Sequence, residues 1–184
     1  MAATVPVLGA EELSIDLDPK RTTISFVLSD VLHTVRGDFA LKNGHISFDP
    51  DSNEISGEIV IDAASGNSGN GARDKRMTRD ILEAQRYADI RFKPVKIKGS
   101  ISRSGISSSQ VTGSFVIHGQ AHEITIPMQI QMYTDALNAT GHFTVPYVQW
   151  GMKNPSRFLL KVADKVEIDL NVMAHIKRGN TTVP

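Results

Sequence analysis

Apolar residues in this chain recur at every second position through most of its length, and that period admits few folds. In "TISFVL", Ile24, Phe26 and Leu28 share one face while Thr23, Ser25 and Val27 take the other. Successive side chains point to opposite faces of a strand, so a period of two marks strands with one buried face. The same alternation aligns Val35, Phe39 and Leu41 through Gly37, then Ile46 with Phe48, then Ile55, Gly57, Ile59 and Ile61. It returns in "DIRFKPVKIKGSI", where Pro94 marks a bulge or an edge because proline cannot donate to a ladder. Val111, Gly113, Phe115 and Ile117 follow, and then the long stripe Ile124, Ile126, Met128, Ile130 and Met132. Phe143 with Val145, and Val166, Ile168, Leu170 and Val172, complete the series. With "LSIDL" near the start, this makes about eight to ten strands, joined mostly by turns. Asn43-Gly44, Asp49-Pro50-Asp51 and Gly119-Gln120 supply turn signals. The chain reads as all-β and mainly antiparallel, and closure into a barrel is the simplest way to remove its edges.

One segment breaks the period. "ARDKRMTRDILEAQRYAD" lacks alternation and places Met77, Ile81 and Leu82 at spacings of four and five. This predicts one short amphipathic helix over about 72–86, with Asn70 as its N-cap and Asp74 in its first turn. The stretch before it, "SGNSGNGARDKRM", resembles a phosphate-binding loop in composition only. Gly71 is followed by Ala72 and Arg73 rather than Lys and Ser or Thr. Gly66, Gly69 and Gly71 also miss the dinucleotide spacing. The run reads as a strand-to-helix crossover. With no repeat and no long linker, residues 1–184 form a single domain, its core at about 12–176 and its tails at 1–11 and 177–184.

Lys+Arg and Asp+Glu both total 20, which disfavours a nucleic-acid partner, since such binding needs excess positive charge. The absence of cysteine removes disulfides, thiolate metal sites and cysteine nucleophiles. No stretch approaches the roughly 18 apolar residues of a membrane span. "MAATVPVLGAEELSIDLDPK" lacks the basic start and apolar run of a signal peptide. The expected compartment is the cytoplasm for the chain as it stands, or the periplasm or exterior if a signal preceded it. A homodimer stays open.

No motif names a chemistry, and no catalytic residue is assigned. His118, His122 and Glu123 suggest zinc, but no third ligand stands at a diagnostic spacing. They read better as a solvent-facing turn, so no metal site is expected. His33, His45, His142 and His175 are isolated. No serine lies in G-x-S-x-G, and the acidic residues Glu58, Asp62 and Glu123 are scattered over strand faces. The inward stripes combine glycines, medium aliphatics and the adaptable Met128 and Met132. They suit either a packed core or the lining of a ligand cavity.

"HTVRGDFALKNGHISFDP", "IVIDAASGNSGNGARDKRM", "YADIRFKPVKI", "VTGSFVIHGQAHEITIPMQI" and "KVEIDL" together resemble the YceI-like family of lipid-binding proteins. The resemblance runs from roughly Leu13 to Val172. It implies a lipocalin-like, eight-stranded up-and-down β-barrel holding a long-chain apolar ligand, such as a polyisoprenoid, an isoprenoid quinone or a related amphiphile. It implies no catalytic residue and no cofactor beyond that ligand. Set against this are a barrel filled by its own side chains, serving stress response or interaction, and an enzyme acting at the barrel mouth. By alternation, the cavity lining would be Phe26, Leu28, Phe39, Ile59, Ile61, Phe92, Phe115, Ile117, Ile126, Met128 and Val145. Arg73, Asp74 and Arg76 would be structural, with Asp74 at the helix start and Arg73 on a strand carboxylate, or else Arg73 or Arg76 would meet a head group. This chain has Arg76 where the family often has His, and Ala88-Asp89 where it usually has Pro. Ala121 replaces a common Thr, and Trp150-Gly151-Met152 is kept without the Asp-Arg often found before it.

Overall fold

Pro19 cannot donate to a ladder, and around it the first long strand breaks into a turn. The Asp18 carbonyl accepts from the N–H groups of Arg21 at 3.2 Å and Thr22 at 3.0 Å. On either side lie β1 (Leu13–Leu17) and β2 (Thr23–Ser29). Ala40 similarly separates β3 (Thr34–Phe39) from β4 (Leu41–Phe48). The remaining strands are β5 (Ile55–Asp62), β6 (Asp89–Lys98), β7 (Gly105–Ile117), β8 (Gln120–Met132), β9 (Ala136–Val145) and β10 (Val166–Arg178). The computed structural model describes residues 12–29, 34–102, 105–156 and 162–179.

The sheet order is β1-β4-β5-β6-β7-β8-β9-β10-β2-β3, and a further β1–β10 pairing closes the ring. Both β1 and β2 pair with β10, through Leu17↔Ala174 and Thr23↔Asn171, so they form one interrupted stave. β3 and β4 pair with β2 and β1 respectively and form the next stave. The ten strands therefore make a closed, antiparallel, eight-stave barrel of the lipocalin-like kind.

Local signals and tertiary pairing disagree at several points. Asn43-Gly44 is no turn: it lies within β4, next to a register shift between Leu41 and Asn43. The tight turn of the β7–β8 hairpin is His118-Gly119, one residue earlier than expected, with φ of 51° and 74°. Both residues therefore take the left-handed conformation that a type I′ hairpin turn demands. Pro94 does sit at a bulge, where β6 slips against β7 between Pro94 and Lys96. Lys177 and Arg178 belong to β10, paired with Ser14 and Leu13, and not to a tail. His33 lies outside the described residues.

The helix is shorter than the 72–86 expected. α1 (Gly71–Arg76) runs into a π turn at Met77–Ile81, and turns follow. Asn70 does cap it, accepting from the Ala72 and Arg73 N–H groups at 3.2 and 3.1 Å. In the π turn the Leu82 N–H reaches the Met77 carbonyl at 2.9 Å. This i→i+5 bond puts residues four and five apart on one side, so Met77, Ile81 and Leu82 all face the barrel.

The Gly/Ser/Asn crossover closes an edge. β5 ends opposite Leu41, leaving β3 without a neighbour on that side. Asn67 supplies one, exchanging two backbone hydrogen bonds with Asp38 at 3.0 Å each. Ser65 Oγ accepts the Ala40 N–H at 2.8 Å. An unpaired edge is thereby covered by loop backbone.

Two pairings are partial. β8 and β9 pair only from Met128↔Gly141 to Met132↔Leu137, so their halves nearer the helix diverge. Aromatic side chains bridge that seam: Phe115 meets Phe143 edge-on at 5.8 Å, and Trp150 stacks on His122 at 4.0 Å. β5 and β6 pair only between Ile59–Asp62 and Asp89–Phe92, so these two strands part at the opposite end.

Candidate functional site: a cavity above a packed floor

The barrel interior is divided. In the half away from the helix, Leu13, Ile15, Ile46, Phe48, Ile97, Ile130, Met132, Leu137, Ala174 and Ile176 are buried against one another. None of them lines the chamber in the other half. Leu13 and Val145 are the largest fully buried side chains, one in each half. This lower half is an ordinary core, whose closely packed side chains make a solid floor.

Above it lies a cavity of about 610 Å³. Its wall is aliphatic and aromatic: Ile24, Phe26 and Leu28 from β2, Val35 and Phe39 from β3, Leu41 from β4, and Ile59 and Ile61 from β5. Ile90, Phe92, Phe115, Ile117 and Ile126 continue it around β6, β7 and β8. Phe143, Val145, Val166, Ile168, Leu170 and Val172 complete the ring from β9 and β10. Met77, Ile81 and Leu82 cover it from the helical side, with Tyr147, Met152, Pro155 and Val162 from the loop after β9. The volume is in the range of small-molecule sites.

Ten of the eleven residues expected from alternation are on this wall. Met128 is not: Gly141 has no side chain, and the Met128 sulfur occupies the space above it. Met132 is buried in the floor. The expected lining left out Leu17, Ile24, Val35, Leu41, Ile90, Phe143, Val166, Ile168, Leu170 and Val172 on the strands, and Met77, Ile81, Leu82, Tyr147, Met152, Pro155 and Val162, whose segments have no period of two. Alternation is the same above and below the floor, so it does not say where the packing stops.

Few polar groups reach this space. Thr22 Oγ1 donates to the Met173 carbonyl and accepts from the Met173 N–H, each at 3.3 Å. Tyr147 donates its hydroxyl to the Ala163 carbonyl at 2.6 Å. Burial, with the nearby Asp164 charge, pushes that hydroxyl up to about 12, so it stays a neutral donor. The others are Ser68, Arg73 and Arg76 at the helix. Arg73 does not meet a strand carboxylate: its Nε donates to Ser68 Oγ at 2.7 Å and its Nη2 to the Ser68 carbonyl at 2.9 Å. Arg76 Nη2 donates to the Pro155 carbonyl at 3.3 Å. Asp74 does not line the cavity; its carboxylate accepts from the Ser68 N–H at 3.0 Å and from the Ser68 hydroxyl.

The two histidines expected in water are also elsewhere. His118 packs on Tyr87 at 4.7 Å, with its Nε2 3.4 Å from the Glu83 carboxylate. His122 is inside the seam on Trp150, and burial holds its imidazole below the ordinary range. Among the described residues no three His, Cys, Asp or Glu side chains are grouped to hold a metal ion.

A closed antiparallel barrel with an apolar interior chamber above a packed floor belongs to the class of small barrels with room for one ligand. Within that class the chain belongs to the YceI-like domain family, whose profile matches residues 16–174. Solved structures agree in fold. BcnA of Burkholderia cenocepacia superposes with a TM-score of 0.71 at 20% identity, covering 86% of this chain and 99% of that one. A polyisoprenoid binding domain from Saccharophagus degradans, implicated in plant cell wall breakdown, gives 0.69 at 14% identity, covering 89% and 98%. The Campylobacter jejuni YCEI protein gives 0.59 at 18%, covering 96% and 91%. No curated protein matches the sequence.

Proposed function

We propose that this protein carries or stores a long apolar chain, a polyisoprenoid, an isoprenoid quinone or a related amphiphile, and acts by binding rather than by catalysis. The observation that carries this reading is the hollow upper half. The staves that pack tightly near Ile130 and Ile176 leave about 610 Å³ open between Phe26, Phe92, Phe115 and Val145. Residues that pack in one half of a barrel and stand apart in the other leave room for a guest. Membership of the YceI-like domain family, together with likeness in fold to the Saccharophagus degradans polyisoprenoid binding domain, supports the choice of chain. Burial of each CH₂ is worth about 0.8 kcal/mol, so one five-carbon unit contributes on the order of 4 kcal/mol at best. Ordering of the chain offsets part of that gain.

Native mass spectrometry and organic extraction of the purified protein test the reading. The expected result is a co-purifying long-chain lipid at near one per chain. Ile61→Trp and Ile126→Trp place extra volume in the cavity, and both variants should fold without the lipid. Wild type without lipid, together with variants destabilised as in an overpacked core by about 1–3 kcal/mol, would refute the carrier reading.

A further inference from the structure

We propose that the β8–β9 seam is a side gate to the chamber, closed by Trp150, and that the guest enters and leaves between these two strands when the indole swings away. This rests on the carrier reading and adds the route of loading. β8 pairs with β7 along its whole length, from Ile117↔Gln120 to Gly105↔Met132, and β9 pairs with β10 from Val166↔Val145 to His175↔Ala136. Each strand is thus held firmly on its outer side. Only Met128–Met132 and Leu137–Gly141 join the two panels to each other. Pro127, the first residue of β8 beyond that joint, has no N–H to give to a ladder. Past it, Ile126 on one side and Phe143 and Val145 on the other line the chamber, so the gap leads directly inside.

Among the described residues, side chains and not backbone span this gap. Trp150 lies flat on His122 of β8 and tilts against Phe115 at 6.0 Å, while Phe115 meets Phe143 edge-on. A boundary held by a few side-chain contacts opens more readily than a hydrogen-bonded ladder. The indole is carried on a turn bonded to itself. The Trp150 N–H reaches the Pro146 carbonyl at 3.1 Å, and the Gly151 and Met152 N–H groups reach the Val148 and Tyr147 carbonyls at 3.0 Å each. No hydrogen bond among the described residues ties this turn to β8. A Cβ on Gly151 would touch nothing within 4 Å, so there is room beside the plug. The closed seam is also incompletely satisfied: His122 Nε2 is buried without a hydrogen-bond partner, a cost that opening to water relieves.

The test measures exchange of bound geranylgeraniol for its deuterated form by native mass spectrometry, on protein first freed of its own lipid. Trp150→Ala should speed exchange by on the order of ten-fold, the scale of two aromatic contacts. The chain has no cysteine, so Thr125→Cys/Thr144→Cys places the only two thiols on the outer faces of β8 and β9. Joined by a short bis-maleimide, they should hold exchange well below the wild-type rate. Without the linker the same variant should exchange as wild type does. Thr23→Cys/Asn171→Cys, joined across the paired β2 and β10, should also leave the rate unchanged. If the linked seam exchanges as fast as wild type, or if the β2–β10 link slows exchange equally, the gate is overturned and the carrier reading stands. Wild type that binds no geranylgeraniol overturns both.

Discussion

At the scale of single residues, two glycines show how differently an inward position can be constrained. A Cβ on Gly37 would meet the Asn67 carbonyl oxygen and, at 2.6 Å, the Phe26 ring. Both neighbours are held: Asn67 by its two hydrogen bonds to Asp38, and Phe26 by packing on Phe39 at 5.3 Å. A Cβ on Gly141 would meet mainly the Met128 sulfur, the end of a flexible side chain. Gly37→Ala should therefore cost about 1–3 kcal/mol and loosen the crossover, whereas Gly141→Ala should cost less than about 1 kcal/mol. Urea unfolding of the two variants checks this, and equal losses would contradict the assigned contacts. Alternation aligned Gly37 with Val35 and Phe39 but said nothing of what either glycine touches, because the atoms that decide lie far away in sequence.

At the scale of elements, the seam between β8 and β9 depends on the stack of Trp150 on His122. The chain has one Trp, so its fluorescence reports on this site, where Trp150 stacks on His122 and also meets Phe115 at 6.0 Å. Burial lowers the folded-state titration of His122, while the unfolded imidazole titrates near 6.5. The stability of the buried neutral ring is thus fully present above about pH 6.5 and declines as the pH falls below it, where the unfolded state binds the proton more readily. Trp150 emission should titrate with a midpoint below about 6.5, and His122→Gln should flatten the curve. A midpoint above 6.5 in wild type would argue against a desolvated ring. None of this was legible locally, since His122 and Trp150 are linked by pairing at a distance. The π turn was closer to legible: the spacings of four and five in Met77, Ile81 and Leu82 are those an i→i+5 turn aligns. Asn43-Gly44 misled because its local turn preference yields to β4 pairing, which places Gly44 opposite Ile59.

At the scale of the whole molecule, stability and capacity occupy different halves of the barrel. Ile130 is in the packed floor, and Ile59 is on the chamber wall. Ile130→Ala should remove about 2–5 kcal/mol of stability, because it leaves a cavity in close packing. Ile59→Ala, which enlarges an existing space, should cost less and change ligand retention instead. Chemical denaturation and lipid content measured on both variants separate the two effects; equal destabilisation with unchanged lipid would show that the division is not real. The closed eight-stave architecture could be read from the period of two and the family motifs. The division could not, because both halves alternate alike. The solid floor also gives a loaded molecule a direction. A tail pushed in from the helical side stops above the floor, so the free end of any guest stays at the pole formed by α1 and residues 146–156. On the carrier reading, the opposite pole, with the turns at 49–54 and 133–135, is set apart from the guest by the packed floor. If the protein carries cargo as proposed, a recipient that must tell cargo from vacancy would consult the helical face.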